Sequence, residues 1–366
     1  MRSRALLIRL LQLALLAVVV WGIYRALAPQ LAGLTWADLT RWRPAPVPLV
    51  GSFVLLLGVY LSHALLWRRI MRDLGIGRPS VGATMRIYFL SSLGRYVPGK
   101  IWLLAGFAVL SRRAGLPPGS ATAAALLGQF GFLTTGLLFL GLMLPEWRIA
   151  VDRLPAGVPA ALPLALGAAL LITGGAVLWL LVATPLGHGF RERLIRRLGQ
   201  RAGERLSAAF ALADRVQPRH AALWATGYAL SWVALGTAFA LFCGAFYPPA
   251  LDSPRYLAGT VAASYLIGYL LFVLPAGAGA RETAMILLLQ QVMPAAGAAV
   301  VVSVLSRVWF TAAEIVPLAL LPFLRDGRTA ESAEGAPDRI EDESAAGGGA
   351  MDGGVAPNGA AEGKQT

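Results

Sequence analysis

The sequence contains few of the residues that bind metals or form disulfides. Its 366 residues include one cysteine, Cys243, and three histidines that lie far apart. One thiol cannot form a disulfide framework or a cysteine-based metal site, and the scattered histidines show no metal-ligand spacing. The chain also lacks the Gly-x-x-x-x-Gly-Lys-Ser/Thr pattern of nucleotide-binding loops, which argues against direct use of ATP. We therefore expect no cofactor.

Charged residues are scarce as well. They make up 14% of the chain, whereas hydrophobic residues make up 57%, and the mean hydropathy is +0.64. Because a soluble domain of this length would not have this composition, the sequence predicts an all-α protein that crosses a membrane several times. The net charge of +13 does not indicate nucleic acid, since most arginines flank apolar runs or lie in one loop.

Several apolar runs approach the length of about 20 residues that a membrane-spanning helix needs. These runs lie at 6–28, 47–67, 117–144, 158–183, 220–247, 255–275 and 296–324. A shorter stretch at 280–293 is a candidate for an eighth crossing, as a half-length helix. The sequence thus predicts about eight transmembrane helices, with further segments that do not cross the membrane.

Clusters of arginine predict the side of the membrane on which each loop lies. They occur at the N-terminus, after the run 47–67, before the run 117–144 and throughout 187–219, and we expect all of them to be cytoplasmic. The segment 84–110 must then enter and leave by one face, as a re-entrant hairpin broken at Pro98-Gly99. Both termini are expected to be cytoplasmic. The alternative at the N-terminus is a signal peptide that ends near Ala28.

Two further segments have a different composition from the apolar runs. Leucine, isoleucine and phenylalanine recur at near-helical spacing within 187–219, which predicts an amphipathic helix on the membrane surface or a solvated connector. Residues 325–366 are rich in Gly, Ala, Ser, Asp and Glu and lack aromatics, which predicts a disordered cytoplasmic tail. The predicted membrane domain therefore comprises residues 1–324.

Two of the apolar regions are interrupted by proline, glycine and charged side chains, at 93–102 and at 272–282. Broken backbone at membrane depth is tolerated only where it is buried in protein or lines a wet cavity, because its N–H and C=O groups need partners. One such break in each half of the chain is typical of a transport site between inverted repeats. An alternative is that Pro98-Gly99 and Pro275 only kink spanning helices.

Six charged residues near these breaks are expected to face the protein interior or a water-filled cleft, because a charge in the bilayer core costs several kcal/mol. They are Arg95, Lys100, Arg281, Glu282, Arg307 and Glu314. The cations need an anion, and a lipid phosphate can accept two parallel hydrogen bonds from an arginine. Gly277 and Gly279 precede a predicted half-helix whose free N–H groups also favour a phosphate.

We expect Glu282 to pair with Arg281, Arg307 or Arg95 in the empty protein and to release its partner when a headgroup arrives. Alternatives exist for each charged group. Arg95 and Lys100 are long enough to reach the interface as simple anchors. Arg307 and Glu314 lie two helical turns apart and are also explained as members of structural ion pairs. Tyr265 and Tyr269 share one helix face and belong either to the core or to the cleft.

The same residues carry a resemblance to a known family. Ser92-Leu-Gly-Arg-Tyr-Val-Pro-Gly-Lys-Ile-Trp102 resembles the LGKYIPGKVW signature of the lysylphosphatidylglycerol synthase transmembrane-domain family. Leu274-Pro-Ala-Gly-Ala-Gly-Ala-Arg-Glu282 is similar to its later Pro-x-Gly-x-Gly-x-Arg-Glu motif, and Ser306-Arg-Val-Trp309 resembles its final arginine-bearing helix. The resemblance covers about residues 5–324.

The chain departs from the family pattern at two places. Gly106-Phe107 stands where the family often has Gly-Arg, and Arg95 replaces the usual lysine of the signature. Arginine keeps the charge, but its planar guanidinium binds phosphate bidentately, whereas an ammonium acts as a point charge. The predicted substrate-binding residues are Arg95, Tyr96, Pro98, Gly99, Lys100, Trp102, Pro275, Gly277, Gly279, Arg281, Glu282, Arg307 and Glu314.

The resemblance implies the membrane half alone, without the family's aminoacyl-transferring domain, in the inner (plasma) membrane of a bacterium. In such relatives this half moves a phospholipid between leaflets. We therefore expect a flippase-like lipid translocase that is not an enzyme and whose partners are phospholipids with an anionic or phosphate-bearing headgroup. The alternatives are an accessory protein that binds lipid or a lipid-modifying enzyme, and an integral-membrane transferase.

Overall fold

The computed structural model describes residues 43–96, 101–143, 169, 216–270, 279–294 and 297–321. Every regular element within these ranges is a helix, which confirms the predicted all-α membrane fold. Its α-helices are α1 (Pro46–Asp73), α2 (Val81–Ser92), α3 (Ile101–Arg113), α4 (Pro118–Met143), α5 (Pro218–Phe246), α6 (Pro254–Leu270), α7 (Ala280–Leu289) and α8 (Ala298–Leu320). Short 3-10 helices occupy Leu93–Tyr96 and Pro248–Asp252.

Four of these helices are long and apolar enough to cross a membrane. They are α1, α4, α5 and α8, with 28, 26, 29 and 23 residues and apolar windows of mean hydropathy 1.7 to 2.0. Each coincides with a predicted run to within a few residues, apart from the longer C-terminal end of α1. The predicted spans at 6–28 and 158–183, most of the 187–219 loop and the predicted tail lie outside the described residues.

The segment 84–110 forms a helical hairpin. Its arms are α2 and α3, of 12 and 13 residues, each about 18–20 Å long and so shorter than the bilayer core of about 30 Å. A Cβ atom on Gly94 would lie 2.4 Å from the Leu103 nitrogen, and one on Gly106 would lie 2.9 Å from the Ser91 Cα. Because later residues of α3 meet earlier residues of α2, the arms are antiparallel, as a re-entrant element requires.

The second interrupted segment has the same arrangement. Helix α6 has 17 residues and α7 has 10, and the break between them lies at 271–278, outside the described residues. The Tyr256 hydroxyl donates to the Leu288 carbonyl at 2.9 Å, whereas Tyr265 lies against Arg281. Since the start of α6 meets the end of α7, these two helices are also antiparallel.

Helices α1 and α5 run antiparallel through the centre of the fold. The Ala45 N–H donates to the Ala245 carbonyl at 2.8 Å at one end. At the other end the Trp224 Nε1–H donates to Asp73 at 3.0 Å, and Gly77 packs against Leu116 at the base of the first hairpin. The arginine-rich ends of these elements therefore lie together. Their cytoplasmic orientation stays a prediction.

Close contact between the hairpin arms predicts that Gly94 tolerates no side chain. We expect Gly94→Ala to lower the stability by about 1–3 kcal/mol, because the new Cβ would collide with backbone atoms that cannot move without shifting α3. The matched control is Gly58→Ala, since nothing lies within 4 Å of a Cβ there. Thermal unfolding in detergent measures both, and equal midpoints for the two variants would contradict the tight packing of the hairpin.

Candidate functional site

The structure brings residues from both interrupted segments to one cavity. The cavity has a volume of about 140 Å³, which exceeds the space that a single water molecule needs. Its charged lining residues are Arg95 from the first hairpin, Arg281 from α7, and Arg307 and Glu314 from α8. Four predicted site residues, from Arg95 in the first half of the chain to Glu314 near the end of α8, therefore line one cavity.

The cavity lies level with the midpoints of two long apolar helices. Tyr60, which lines it, is near the middle of α1, and Phe310 is near the middle of α8. Both helices are long enough to cross a bilayer, so their midpoints fall far from either interface. A charge at this depth is stabilised only by ion pairing, hydrogen bonds, water or a bound ligand.

Glu314 connects three elements at the cavity wall. Its carboxylate accepts hydrogen bonds from Arg95 Nη1 at 2.9 Å, from the Tyr96 hydroxyl at 2.8 Å and from the Tyr60 hydroxyl at 3.0 Å. The Arg95 side chain is 22% exposed and that of Glu314 is 4% exposed. This contact joins α8 to α1 and to the 3-10 turn of the first hairpin. Arg95 thus lines the cavity.

Glu282 forms the second ion pair. Its Oε1 lies 3.1 Å from Arg307 Nη1, and both side chains are buried. Its Oε2 accepts the Gly279 N–H at 2.7 Å, so the same carboxylate also caps the start of α7. Gly279 has a φ of 88°, a left-handed conformation that favours glycine. Of the three partners proposed for Glu282, the structure shows Arg307.

Arg281 differs from the other two arginines because it has no carboxylate partner among the described residues. The residue is 9% exposed, and its Nη2 is buried with no hydrogen-bond partner in the described part of the chain. Its guanidinium carbon lies 4.0 Å from the centroid of the Phe310 ring and 5.6 Å from that of Tyr265. Such cation–π contacts contribute about 2 kcal/mol when desolvated, which offsets only part of the cost of burying a charge.

Not every predicted site residue lines this cavity. Trp102 is 58% exposed and lies outside the cavity wall, and Gly279 acts through the capping of α7. Five predicted residues lie outside the described ranges, so their positions stay predictions. They are Pro98, Gly99, Lys100, Pro275 and Gly277.

The structure adds residues that the sequence did not assign. Tyr60 is a single tyrosine in an apolar run, and no sequence pattern distinguishes it from a core residue. The spacing of Tyr265 and Tyr269 predicted a shared face, and the structure places both at the cavity.

His63, for which the sequence indicated no chemistry, is buried and lies 2.9 Å from the Ser231 hydroxyl. Within the described ranges, no three His, Cys, Asp or Glu residues lie close enough to hold a metal ion.

Comparison with known proteins supports the resemblance seen in the motifs. The model of the family described as "Lysylphosphatidylglycerol synthase TM region" matches residues 9–313. That range includes both interrupted segments and every predicted site residue except Glu314, which is the next residue in the chain. A search of curated proteins found no match.

The Arg95–Glu314 pair predicts a strong effect of removing one charge. We expect Glu314→Gln to destabilise the protein by about 3 kcal/mol, because the amide still accepts from the tyrosines but leaves the Arg95 charge unpaired. The double variant Arg95→Gln/Glu314→Gln should recover much of that loss, since it buries no unpaired charge.

The control for this pair is Arg69→Gln, which removes a partner of Asp73 whose side chain is 40% exposed, and it should cost about 0.5 kcal/mol. Thermal unfolding in detergent gives the stabilities of Arg95→Gln, Glu314→Gln, the double variant and the control. A double variant as unstable as the sum of its single variants would show that the two charges are not coupled.

Proposed function

Because the chain belongs to the lysylphosphatidylglycerol synthase transmembrane-region family, as its motifs predicted, we propose that it is a lipid translocase. This family places the protein among membrane-embedded proteins related to lipid handling. The substrate proposed here is a polar lipid with a phosphate in its headgroup, which moves between the leaflets of the inner membrane. No covalent reaction is part of the proposal.

The observation that carries this proposal is the position of Arg281. It is a buried cation with an unsatisfied N–H group, at a cavity between two interrupted helical segments near the membrane centre. An uncompensated charge is costly there and is retained where it serves a ligand or an ion pathway. A phosphate oxygen is the natural acceptor for a guanidinium, because the two form short, charge-assisted hydrogen bonds.

The composition of the cavity also suits a lipid headgroup. Leu103 and Leu104 of α3 and Leu126 of α4 form an apolar wall, and the three arginines lie on other elements that line the same space. A headgroup can then bind among the polar residues while its acyl chains remain beside apolar helix surfaces. This division allows a polar group to cross the bilayer without contacting hydrocarbon.

The two ion pairs provide a means of opening the site. When a phosphate approaches Arg281, it also attracts Arg307 and Arg95, which Glu282 and Glu314 hold in the empty protein. Glu282 lies on the second hairpin, Arg95 lies on the first, and α8 carries the other member of each pair. When an arginine exchanges its carboxylate partner for the phosphate, the contact between one hairpin and α8 is lost. Rocking of the two halves of the protein around a fixed site would then move the headgroup.

The proposal is tested by measuring lipid exchange between leaflets in liposomes. Purified protein is reconstituted with fluorescent anionic, zwitterionic and lysyl-modified phospholipids, and the rate at which a membrane-impermeant quencher reaches the probe is recorded. We expect accelerated exchange by the wild type and a rate about tenfold or more lower for Arg281→Gln, since the lost charge-assisted hydrogen bonds contribute about 1.5–3 kcal/mol.

The matched control is Arg112→Gln, which removes an exposed arginine at the end of α3 and should leave the rate unchanged. Absence of exchange for every lipid by folded wild-type protein would reject the translocase and favour the accessory alternative. Equal rates for Arg281→Gln and wild type would reject the cavity as the route.

Charge reversal at Glu282 tests the opening step. We expect Glu282→Arg to abolish exchange, because it replaces the partner of Arg307 with a third cation beside Arg281. The same liposome assay is used, and only variant protein that elutes as a single species on size-exclusion chromatography is compared. Unchanged exchange would rule out a role for the Glu282–Arg307 pair in opening the site.

A further inference from the structure

We propose that His63 takes up a proton when an anionic headgroup binds at the neighbouring cavity, so that the proton and the lipid bind the protein together. The inference rests on the proposed function, because it assigns the bound anion to a lipid headgroup. It follows from the surroundings of His63, a buried titratable side chain that neither ion pair nor the proposed opening step uses.

A second cavity places His63 next to the candidate site. This smaller cavity has a volume of about 50 Å³, and His63 is among its lining residues. Tyr60, Arg95 and Tyr265 line both this cavity and the larger one that contains Arg281. A space of this size is large enough for water, and the side chains of the shared tyrosines offer it hydrogen bonds. The smaller cavity therefore adjoins the candidate site and provides room for a proton to reach His63.

Hydrogen bonds assign one tautomer to the His63 imidazole. Its Nε2 lies 2.9 Å from the Ser231 hydroxyl, and that hydroxyl donates to the Tyr228 carbonyl at 2.7 Å. A hydroxyl has one proton to donate, so the Ser231 oxygen must accept from His63 Nε2–H. Nδ1 of the neutral imidazole is then the nitrogen that can bind a further proton. The Phe132 ring, at 4.6 Å between centroids, packs against the imidazole and fixes its position.

The groups around His63 do not supply a counter-ion for an imidazolium. Among the described residues that line the smaller cavity, Arg95 is the charged one, and it is a cation. The titratable side chains that line it are Tyr60 of α1, Tyr88 of α2, Tyr228 of α5 and Tyr265 of α6, and those contributed by α3, α4 and α8 are not titratable. Glu314, which contacts two of these residues, is already bound to Arg95 and Tyr60. A proton on His63 is therefore stabilised by an anion that enters the adjoining cavity.

The proton and the anion then favour each other. Protonation adds one positive charge beside Arg95, and an anion in the adjoining cavity attracts that charge across a medium of low dielectric constant. This change is one unit for any total charge of the site, because it compares the same site before and after proton uptake. The coupling is reciprocal, so the proton strengthens anion binding by the same factor. In a translocase, a pH difference across the membrane would then drive lipid movement.

Isothermal titration calorimetry measures this linkage at equilibrium, separately from transport. Purified protein in a non-ionic detergent is titrated with short-chain phosphatidylglycerol, in buffers that differ in their enthalpy of ionisation. The dependence of the binding heat on the buffer gives the number of protons taken up per bound lipid. The lipid phosphodiester keeps its charge between about pH 6 and pH 8, whereas histidine titrates in this range. We expect uptake of at most one proton and binding up to about tenfold tighter for each pH unit of acidification.

Histidine variants make the test specific. His63→Gln offers an amide N–H to Ser231 but cannot take up a proton, so we expect it to bind lipid without proton uptake and with little dependence on pH. The matched control is His188→Gln/His220→Gln, which leaves His63 as the single histidine of the chain and should take up protons as the wild type does. If His63→Gln does not fold, nitrogen-15 NMR of this control labelled at histidine replaces it, and lipid should convert its single imidazole from the neutral to the charged form.

The outcomes separate this inference from the proposed function. Proton uptake that persists in His63→Gln, or an imidazole that stays neutral when lipid binds, would overturn the inference and indicate that a carboxylate released from Arg95 or Arg307 takes up the proton. Lipid binding by the wild type without proton uptake would also overturn it, even if lipid exchange between leaflets is observed. Proton uptake that depends on His63, without any lipid exchange, would support the inference and reject the translocase.

Discussion

Unpaired charge at the centre of an apolar fold is the constraint on which the rest of the site depends. Water cannot solvate these groups fully, so each guanidinium or carboxylate needs a partner from another element. Glu314 and Glu282 meet this need for Arg95 and Arg307, and in doing so they join α8 to both hairpins and to α1. The charged residues that are proposed to bind a phosphate therefore also form contacts that fix the packing of the helices around the cavity.

The hairpins follow from the same constraint applied to the backbone. A break in a membrane helix exposes N–H and C=O groups that need partners, so the turn must lie inside the protein. In the first hairpin the described parts of the two arms are in close contact, where Gly94 and Gly106 leave no room for side chains. Arg95 and Tyr96 follow directly and reach Glu314. The first turn of α7, in the second hairpin, brings Arg281 to the same cavity and Glu282 to Arg307.

The sequence predicted the elements of this fold better than their contacts. Apolar runs predicted the long helices to within a few residues at most ends, and the interruption at 93–102 predicted the first hairpin. The interruption at 272–282 predicted only a broken helix. The contacts depend on distances that no local pattern contains. Tyr60 lies in an ordinary apolar run, and its bond to Glu314 joins residues 254 positions apart. The sequence also left open which arginine pairs with Glu282, because the packing of the helices decides that contact.

The aromatic contact of Arg281 has a stereochemical consequence. A guanidinium donates hydrogen bonds only in its own plane, and the guanidinium carbon of Arg281 lies over the Phe310 ring, 4.0 Å from its centroid. A ring on α8 therefore occupies space beside this group and restricts the directions from which an anion can reach its N–H groups. The orientation of an anion that binds Arg281 would then be set by the fold and not by the anion itself.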